Sequence, residues 1–150
     1  MKSTRVNHFL SLPEKKKSNH AIFLGCGPSV NEIKDFHIEK LKSLDVWSSN
    51  SWIIHDSIVP DFYHVEVKEH RSGPIFKRLC VEKASEYQNV NWIIDATRPH
   101  LLDYVPPDLY ANLYAYSKYY RQETSGAYTL HPQAVAVSNN ASLTVILDLM

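Results

Sequence analysis

Residues 20–29 of the chain, HAIFLGCGPS, join a short apolar run to a turn that contains two glycines. The apolar run 20–24 is typical of a strand buried on both faces, as strands of parallel sheets are. Gly25 and Gly27 mark the turn, and Pro28 suits the first position of a helix, where its missing N–H costs nothing. The stretch therefore predicts the strand–turn–helix unit that opens many α/β nucleotide-binding domains.

The rest of the chain continues the alternation of strand and helix patterns. Apolar residues at helical spacing follow the turn as far as Leu41, with Asp35 as a cap for a second short turn. This alternation predicts a Rossmann-like α/β domain with a mostly parallel sheet and flanking helices. Further strands are expected at 45–50, 61–67, 91–95 and 113–116, and a further helix at 73–87.

The two ends of the chain differ from this middle part. Residues 1–18 are predicted as a polar lead-in, and residues 19–150 as the N-terminal part of a Rossmann-like nucleotide-binding domain. The segment 142–150 is an almost wholly apolar helix pattern without a closing glycine, proline or basic residue. It predicts a domain truncated at its C-terminus; the alternative is a short chain whose last helix packs against a partner, so an oligomer stays open.

Composition excludes several classes of function. The 16 basic and 16 acidic residues cancel, which argues against a nucleic-acid-binding protein but allows a local basic patch. Two cysteines are too few for a disulfide framework or a metal knuckle, so we expect a reducing, cytoplasmic compartment. The sequence contains neither a signal peptide nor an apolar run long enough for a transmembrane segment. The charged run 14–17 leaves peripheral contact with the inner membrane open.

The turn after the first strand has the features of a phosphate-binding loop. Glycines let backbone N–H groups approach a phosphate, a helix N-terminus favours negative charge, and Ser29 adds a hydroxyl donor. However, Val30 stands where the dinucleotide fingerprint has a third glycine, and the lysine of a P-loop is absent. A tight turn without a ligand is the alternative interpretation.

Asn50 is placed at the end of the second predicted strand. Ligands of open α/β sheets bind beyond the carboxyl ends of the strands, and an amide there can contact a ribose or a base edge. Asp45 has the spacing of a ribose-binding acid but falls at the wrong end of that strand. Asn50 could equally serve a turn alone.

Four segments, in order along the chain, resemble the bacterial lipooligosaccharide sialyltransferases and the motility-associated accessory factors that modify flagellin with nonulosonic acids. The first, FLGCGPSV at 23–30, is similar to the Gly-x-Gly-Pro-Ser opening of that superfamily. The other three are VWSSN at 46–50, PDFYHV at 60–65 and NASLTVILD at 140–148. A related archaeal-type pterin diphosphokinase group shares the opening.

The resemblance implies a glycosyltransferase that uses a CMP-activated acidic sugar as donor, without a tightly bound cofactor, and modifies a surface glycan or a flagellin glycoprotein. Cys26 and His64 depart from the family, which often has asparagine at both positions. The family's general-base region would lie beyond residue 150, so this chain is expected not to transfer sugar alone, and only His64 is kept as a catalytic candidate. The nucleotide-binding residues that the resemblance implies are Gly25, Cys26, Gly27, Pro28, Ser29, Asn50, Asn140 and Ser142.

Other residues of the sequence allow different chemistry. His64 and Glu66, with His70 nearby, sketch a metal site, but a polar strand end beside the nucleotide is favoured and no metal is predicted. A tyrosine-rich stretch at 110–120 either lines a sugar pocket or packs on the sheet. The alternative functions are a pterin diphosphokinase-like enzyme, with ATP and Mg²⁺ held by Asp56, Asp61 and Glu66, and a non-catalytic nucleotide-binding remnant.

Overall fold

The computed structural model describes residues 6–67, 72–120 and 134–137, and these form an α/β fold around one all-parallel sheet. The strand order is β1-β6-β5-β4-β3-β2, with β7 paired to β6. The predicted Rossmann-like class with a mostly parallel sheet is therefore confirmed. The strands are β1 (Asn7–His8), β2 (Ala21–Leu24), β3 (Asp45–Ser49), β4 (Phe62–Val65), β5 (Asn91–Asp95), β6 (Leu113–Tyr120) and β7 (Ala134–Val137).

Strands β2 to β6 lie side by side in the order of the chain. Leu24 pairs with Ser48, Ser49 with His64, and Asp95 with Tyr116, each in parallel register. Because these strands all run in one direction, the loops that follow them leave the sheet at the same edge. The glycine turn after β2 and Asn50 after β3 are therefore neighbours, about one strand spacing of 4.8 Å apart.

The connections between these strands cover one face of the sheet. Within the described residues they contain two α-helices and four 3₁₀ helices. The apolar side chains of these helices join those of the strands in the larger core cluster, with Trp52, Phe76, Cys80 and Leu101 among its buried members. Parallel crossovers are right-handed, so strands added in one direction place their connections on one face. The helices are α1 (Asp35–Leu41), α2 (Gly73–Glu82) and the 3₁₀ helices Pro28–Glu32, Asn50–Ile54, Pro99–Tyr104 and Pro107–Asn112.

The opposite face is covered from the N-terminal side. Since β1 lies beside β6 and β2 lies at the other end of the order, the chain crosses this face between them. The 3₁₀ helix Phe9–Lys15 is part of that crossing, and its buried Leu12 packs in a cluster with Trp47 and other strand residues. The predicted polar lead-in therefore contains a strand, Asn7–His8, and a residue of the core, Leu12.

Two helix predictions need correction. The turn after β2 leads into a five-residue 3₁₀ helix, Pro28–Glu32, and only then into α1, which begins at Asp35. The helix predicted for 73–87 ends at Glu82 and continues as turns. The predicted apolar helix at 142–150 lies outside the described residues. Among the helices of the described part, none is long and apolar enough to cross a bilayer.

Candidate functional site

The turn Gly25–Ser29 leaves the carboxyl end of β2, and all five of its residues are exposed. Gly27 caps the 3₁₀ helix Pro28–Glu32, and its carbonyl accepts a hydrogen bond of 3.1 Å from the N–H of Val30. A five-residue 3₁₀ helix carries a smaller dipole than the α-helix that the sequence predicted, so phosphate affinity would depend mainly on individual donors of the loop, its backbone N–H groups and the Ser29 hydroxyl.

Neither loop glycine is required by the fold. No described glycine has a positive φ, and Gly27 lies at φ −74° and ψ 163°, where any residue is comfortable. A Cβ at Gly25 would come no closer than 3.9 Å to another atom, and one at Gly27 no closer than 4.0 Å. The backbone conformation therefore does not explain why both positions are glycine. What the two glycines do provide is open space beside the loop, where a side chain would otherwise lie.

Cys26 connects the loop to the end of β3. Its thiol donates to the carbonyl oxygen of Ser49 across 3.4 Å, although the residue as a whole is exposed. Partial desolvation raises the pKa of the Cys26 thiol, and a hydrogen bond from the backbone N–H of Ser51 lowers it by less. The thiol therefore stays protonated at neutral pH, which favours a positioning role over a nucleophilic one.

Asn50 turns the chain out of β3 into the 3₁₀ helix Asn50–Ile54. With φ 57°, it is the only non-glycine residue of the described part in the left-handed region, which asparagine tolerates better than most residues. The Tyr63 hydroxyl fixes this turn, since it donates to the Asn50 carbonyl at 2.7 Å and accepts from the Ile53 N–H at 3.0 Å. Asn50 therefore does form a turn, which is one of the two roles that the sequence allows for it.

The turn role does not account for the Asn50 side chain. Its Oδ1 atom is buried and has no hydrogen-bond partner within the described part of the chain. The same holds for Oγ of Ser48 in the preceding strand. Buried polar atoms usually find partners, so an acceptor left open at the carboxyl edge of the sheet is a place where a ligand donor would be stabilised.

His64 occupies the end of β4 on the same face as Tyr116 of β6. The His64 Nε2 and the Tyr116 hydroxyl are 2.7 Å apart, and both side chains are fully buried or nearly so. The pair bridges over Ile93 of the intervening strand β5, which is the register neighbour of His64. Tyr116 was considered in the sequence only as part of a tyrosine-rich stretch, because strand register is needed to bring it to His64.

A charged group follows the ends of β4 and β5. Arg98 Nη1 lies 3.4 Å from Glu66 Oε1, and its Nε lies 3.7 Å from Asp95 Oδ2. Asp95 Oδ1 accepts from both the backbone N–H and the hydroxyl of Thr97, at 2.9 and 2.6 Å, and so shapes the loop after β5. An acidic residue closing a buried strand was a visible signal that the sequence analysis missed for Asp95.

The carboxylates considered for an ATP–Mg²⁺ site are dispersed. Asp61 lies at the amino end of β4, where its side chain accepts from Lys17 Nζ at 2.8 Å and from the Val46 N–H at 2.9 Å. Asp56 pairs with Lys83, and this contact lowers the pKa of the Asp56 carboxyl. Within the described residues, no three histidine, cysteine, aspartate or glutamate side chains are grouped so that they could hold a metal ion.

The structure thus brings the loop Gly25–Ser29, Asn50 and His64 to one edge of the sheet. Asn140, Ser142 and His70 lie outside the described residues. Comparison of the chain with protein-family models, with curated proteins and with solved structures finds no significant match. This edge of the sheet is therefore the candidate functional site.

Proposed function

We propose that the chain is the nucleotide-sugar-binding part of a glycosyltransferase that uses a CMP-activated acidic sugar to modify a surface glycan or flagellin. The observation that carries the proposal is the pair of exposed glycines, Gly25 and Gly27, which the fold does not require. They leave backbone N–H groups accessible at the carboxyl edge of a parallel sheet, which is where such sheets bind ligands.

The proposed reaction moves the sugar from phosphate to an acceptor hydroxyl. The acceptor oxygen forms a bond to the anomeric carbon, the bond from that carbon to the phosphate oxygen breaks, and CMP leaves with the electron pair. Donors from the loop backbone and from Ser29 would stabilise the charge that develops on the departing phosphate. The acceptor proton must pass to a general base.

We propose no base among the described residues. His64 was the only catalytic candidate, but its ring is fully buried and bonded to Tyr116, whereas a base must reach the acceptor hydroxyl. His64 is better suited to holding β4 and β6 in place through its contact with Tyr116. Binding of the nucleotide is therefore the activity that we propose for the described residues.

The proposal is tested by nucleotide binding to the wild-type chain and to Gly27→Val. CMP at about one hundred times its Kd should stabilise the wild-type fold by about 2.7 kcal/mol, measured as an increase in melting temperature. The valine side chain fills the space above the loop and should abolish the increase. Ala111→Val is the control, because it also introduces a valine at an exposed position, but before β6, at the amino ends of the strands.

Three results would count against the proposal. Equal stabilisation of wild type and Gly27→Val would remove the loop from the binding site. Stabilisation by ATP with Mg²⁺ in preference to CMP would favour the diphosphokinase-like alternative. If no nucleotide stabilises the chain, both the glycosyltransferase proposal and the diphosphokinase-like alternative are contradicted.

A further inference from the structure

A cavity of about 230 Å³ lies beside Asn50, between the 3₁₀ helix Asn50–Ile54 and the start of α2. Its walls are mainly apolar and include Ile54, Val67, Ile75 and Phe76. This volume is below the roughly 300–1,000 Å³ of sites that enclose drug-sized ligands. The cavity therefore suits a single planar ring better than a complete nucleotide.

The cavity and the glycine loop share one segment of backbone. Asn50 and Ser51 line the cavity. The thiol of Cys26, in the loop, is hydrogen-bonded to the Ser49 carbonyl and to the Ser51 N–H. A ligand with its phosphate at the loop could thus place a neighbouring group in the cavity without spanning more than adjacent strand ends, which are about 4.8 Å apart.

Asn50, Ser51 and Ser72 are the polar residues that line this cavity, and Asn50 is the one whose buried side-chain oxygen has no partner within the described part of the chain. Glycine would satisfy the left-handed backbone at φ 57° at least as well, so the backbone alone does not call for an amide side chain. The Asn50 Oδ1 atom is buried and has no partner in the described part of the chain, and a buried acceptor is stabilised when a donor reaches it.

We infer that this cavity holds the base of the nucleotide, and that Asn50 Oδ1 accepts a hydrogen bond from an exocyclic amino group. A single-ring base with such a group is cytosine; uracil has the same size but presents a carbonyl oxygen at that position. The inference rests on the proposed function, because it takes the phosphate of the same ligand to lie at the glycine loop. It assigns the choice of base to Asn50.

The first experiment compares the Kd values of CMP and UMP by calorimetry. Wild type should bind CMP about tenfold more tightly than UMP, the ratio that one good hydrogen bond provides. Asn50→Gly keeps the left-handed backbone and removes only the amide, so it should bind the two nucleotides equally. A wild-type chain that does not distinguish CMP from UMP, or that prefers UMP, would overturn the inference.

The second experiment fills the cavity. Ile75→Trp places an indole at a wall position on α2 and should weaken CMP binding at least tenfold, whereas Val81→Trp on the same helix should leave it unchanged. Val81 is a suitable control because it is exposed and does not line the cavity. If Ile75→Trp binds CMP normally while Gly27→Val does not, the cavity assignment is wrong and the phosphate loop stands. If wild type binds no CMP, both fail together.

Discussion

Alanine at Gly73 should lower the stability of the fold, whereas alanine at Gly25 or Gly27 should not, because the surroundings of Gly73 are crowded and those of the two loop glycines are open. At Gly73, the first residue of α2, a Cβ would lie 2.6 Å from the Tyr104 hydroxyl oxygen and 2.8 Å from two carbons of its ring. That ring is 9% exposed and cannot swing freely into solvent. Overpacking of this kind costs about 1–3 kcal/mol, so we expect Gly73→Ala to destabilise the fold by that amount.

The loop glycines should respond in the other direction. The backbone at Gly25 and Gly27 is compatible with alanine, and a Cβ there meets no atom closer than 3.9 Å. Replacing glycine by alanine at such a position restricts the unfolded chain and commonly stabilises a protein by about 0.4–1 kcal/mol. If the loop binds phosphate, the same substitutions should nevertheless weaken CMP binding, because each methyl group stands in the space that the phosphate approaches.

Urea denaturation of the three variants measures the free energy of unfolding, and the melting temperature gives a second reading. For a chain of this length, 1 kcal/mol corresponds to roughly 2–4 °C. We expect Gly73→Ala to be less stable than wild type and to bind CMP normally. The loop variants should be at least as stable as wild type and should bind CMP more weakly. Loop variants that lose stability would show that the turn itself needs glycine, and loop variants that keep full affinity would remove the phosphate from the loop.

Two further predictions concern buried and exposed groups. Tyr116→Phe deletes the 2.7 Å partner of the buried His64 ring and should lower the free energy of unfolding by about 1–3 kcal/mol in urea denaturation; an unchanged value would show that the pair contributes nothing. Titration with a thiol reagent at pH 8 should modify one cysteine of the native chain and two after unfolding, because Cys26 is exposed whereas burial raises the pKa of Cys80 to about 12. Cys26 should react more slowly than free cysteine, faster as pH rises, and more slowly still with CMP bound; rapid modification of Cys80 in the native chain would contradict the described core.

The sequence predicted β3, β4 and β5 well because each of these strands is buried along its whole length. Residues 91–95 are a strand with the predicted bounds, and all five are buried, so the apolar run 92–94 between Asn91 and Asp95 is explained by a strand inside the sheet. The short helix after the glycine turn was less predictable, because the spacing of Val30 and Ile33 fits a 3₁₀ helix followed by α1 as well as it fits one continuous helix. Asn7–His8 is too short to be recognised as a strand, since only its parallel pairing with β6 defines it.

Part of the candidate site could also be predicted from the sequence, and part could not. Gly25, Gly27 and Asn50 could be found from local sequence, since a glycine turn after a strand and an amide at a strand end are visible without any tertiary information. The contact of Cys26 with Ser49 and the cavity beside Asn50 could not, because both depend on which strand lies next to β2 and on where α2 crosses. Sequence order does not determine strand order in a parallel sheet, and each arrangement brings different strand ends together.

The adjacency of β2 and β3 is therefore the structural fact that carries the most functional weight. It places the glycine loop against Ser49–Ser51, and that segment in turn forms one side of the cavity. Were β2 separated from β3 by another strand, the loop and Asn50 would be about 10 Å apart, and one phosphate with its base would have to bridge a strand end between them. With the strands adjacent, an exposed loop, an open buried acceptor and an apolar cavity lie in sequence along a single edge. In the proposed binding mode the phosphate lies at the loop and the base lies in the cavity against Asn50 Oδ1, so one nucleoside monophosphate would contact all three features.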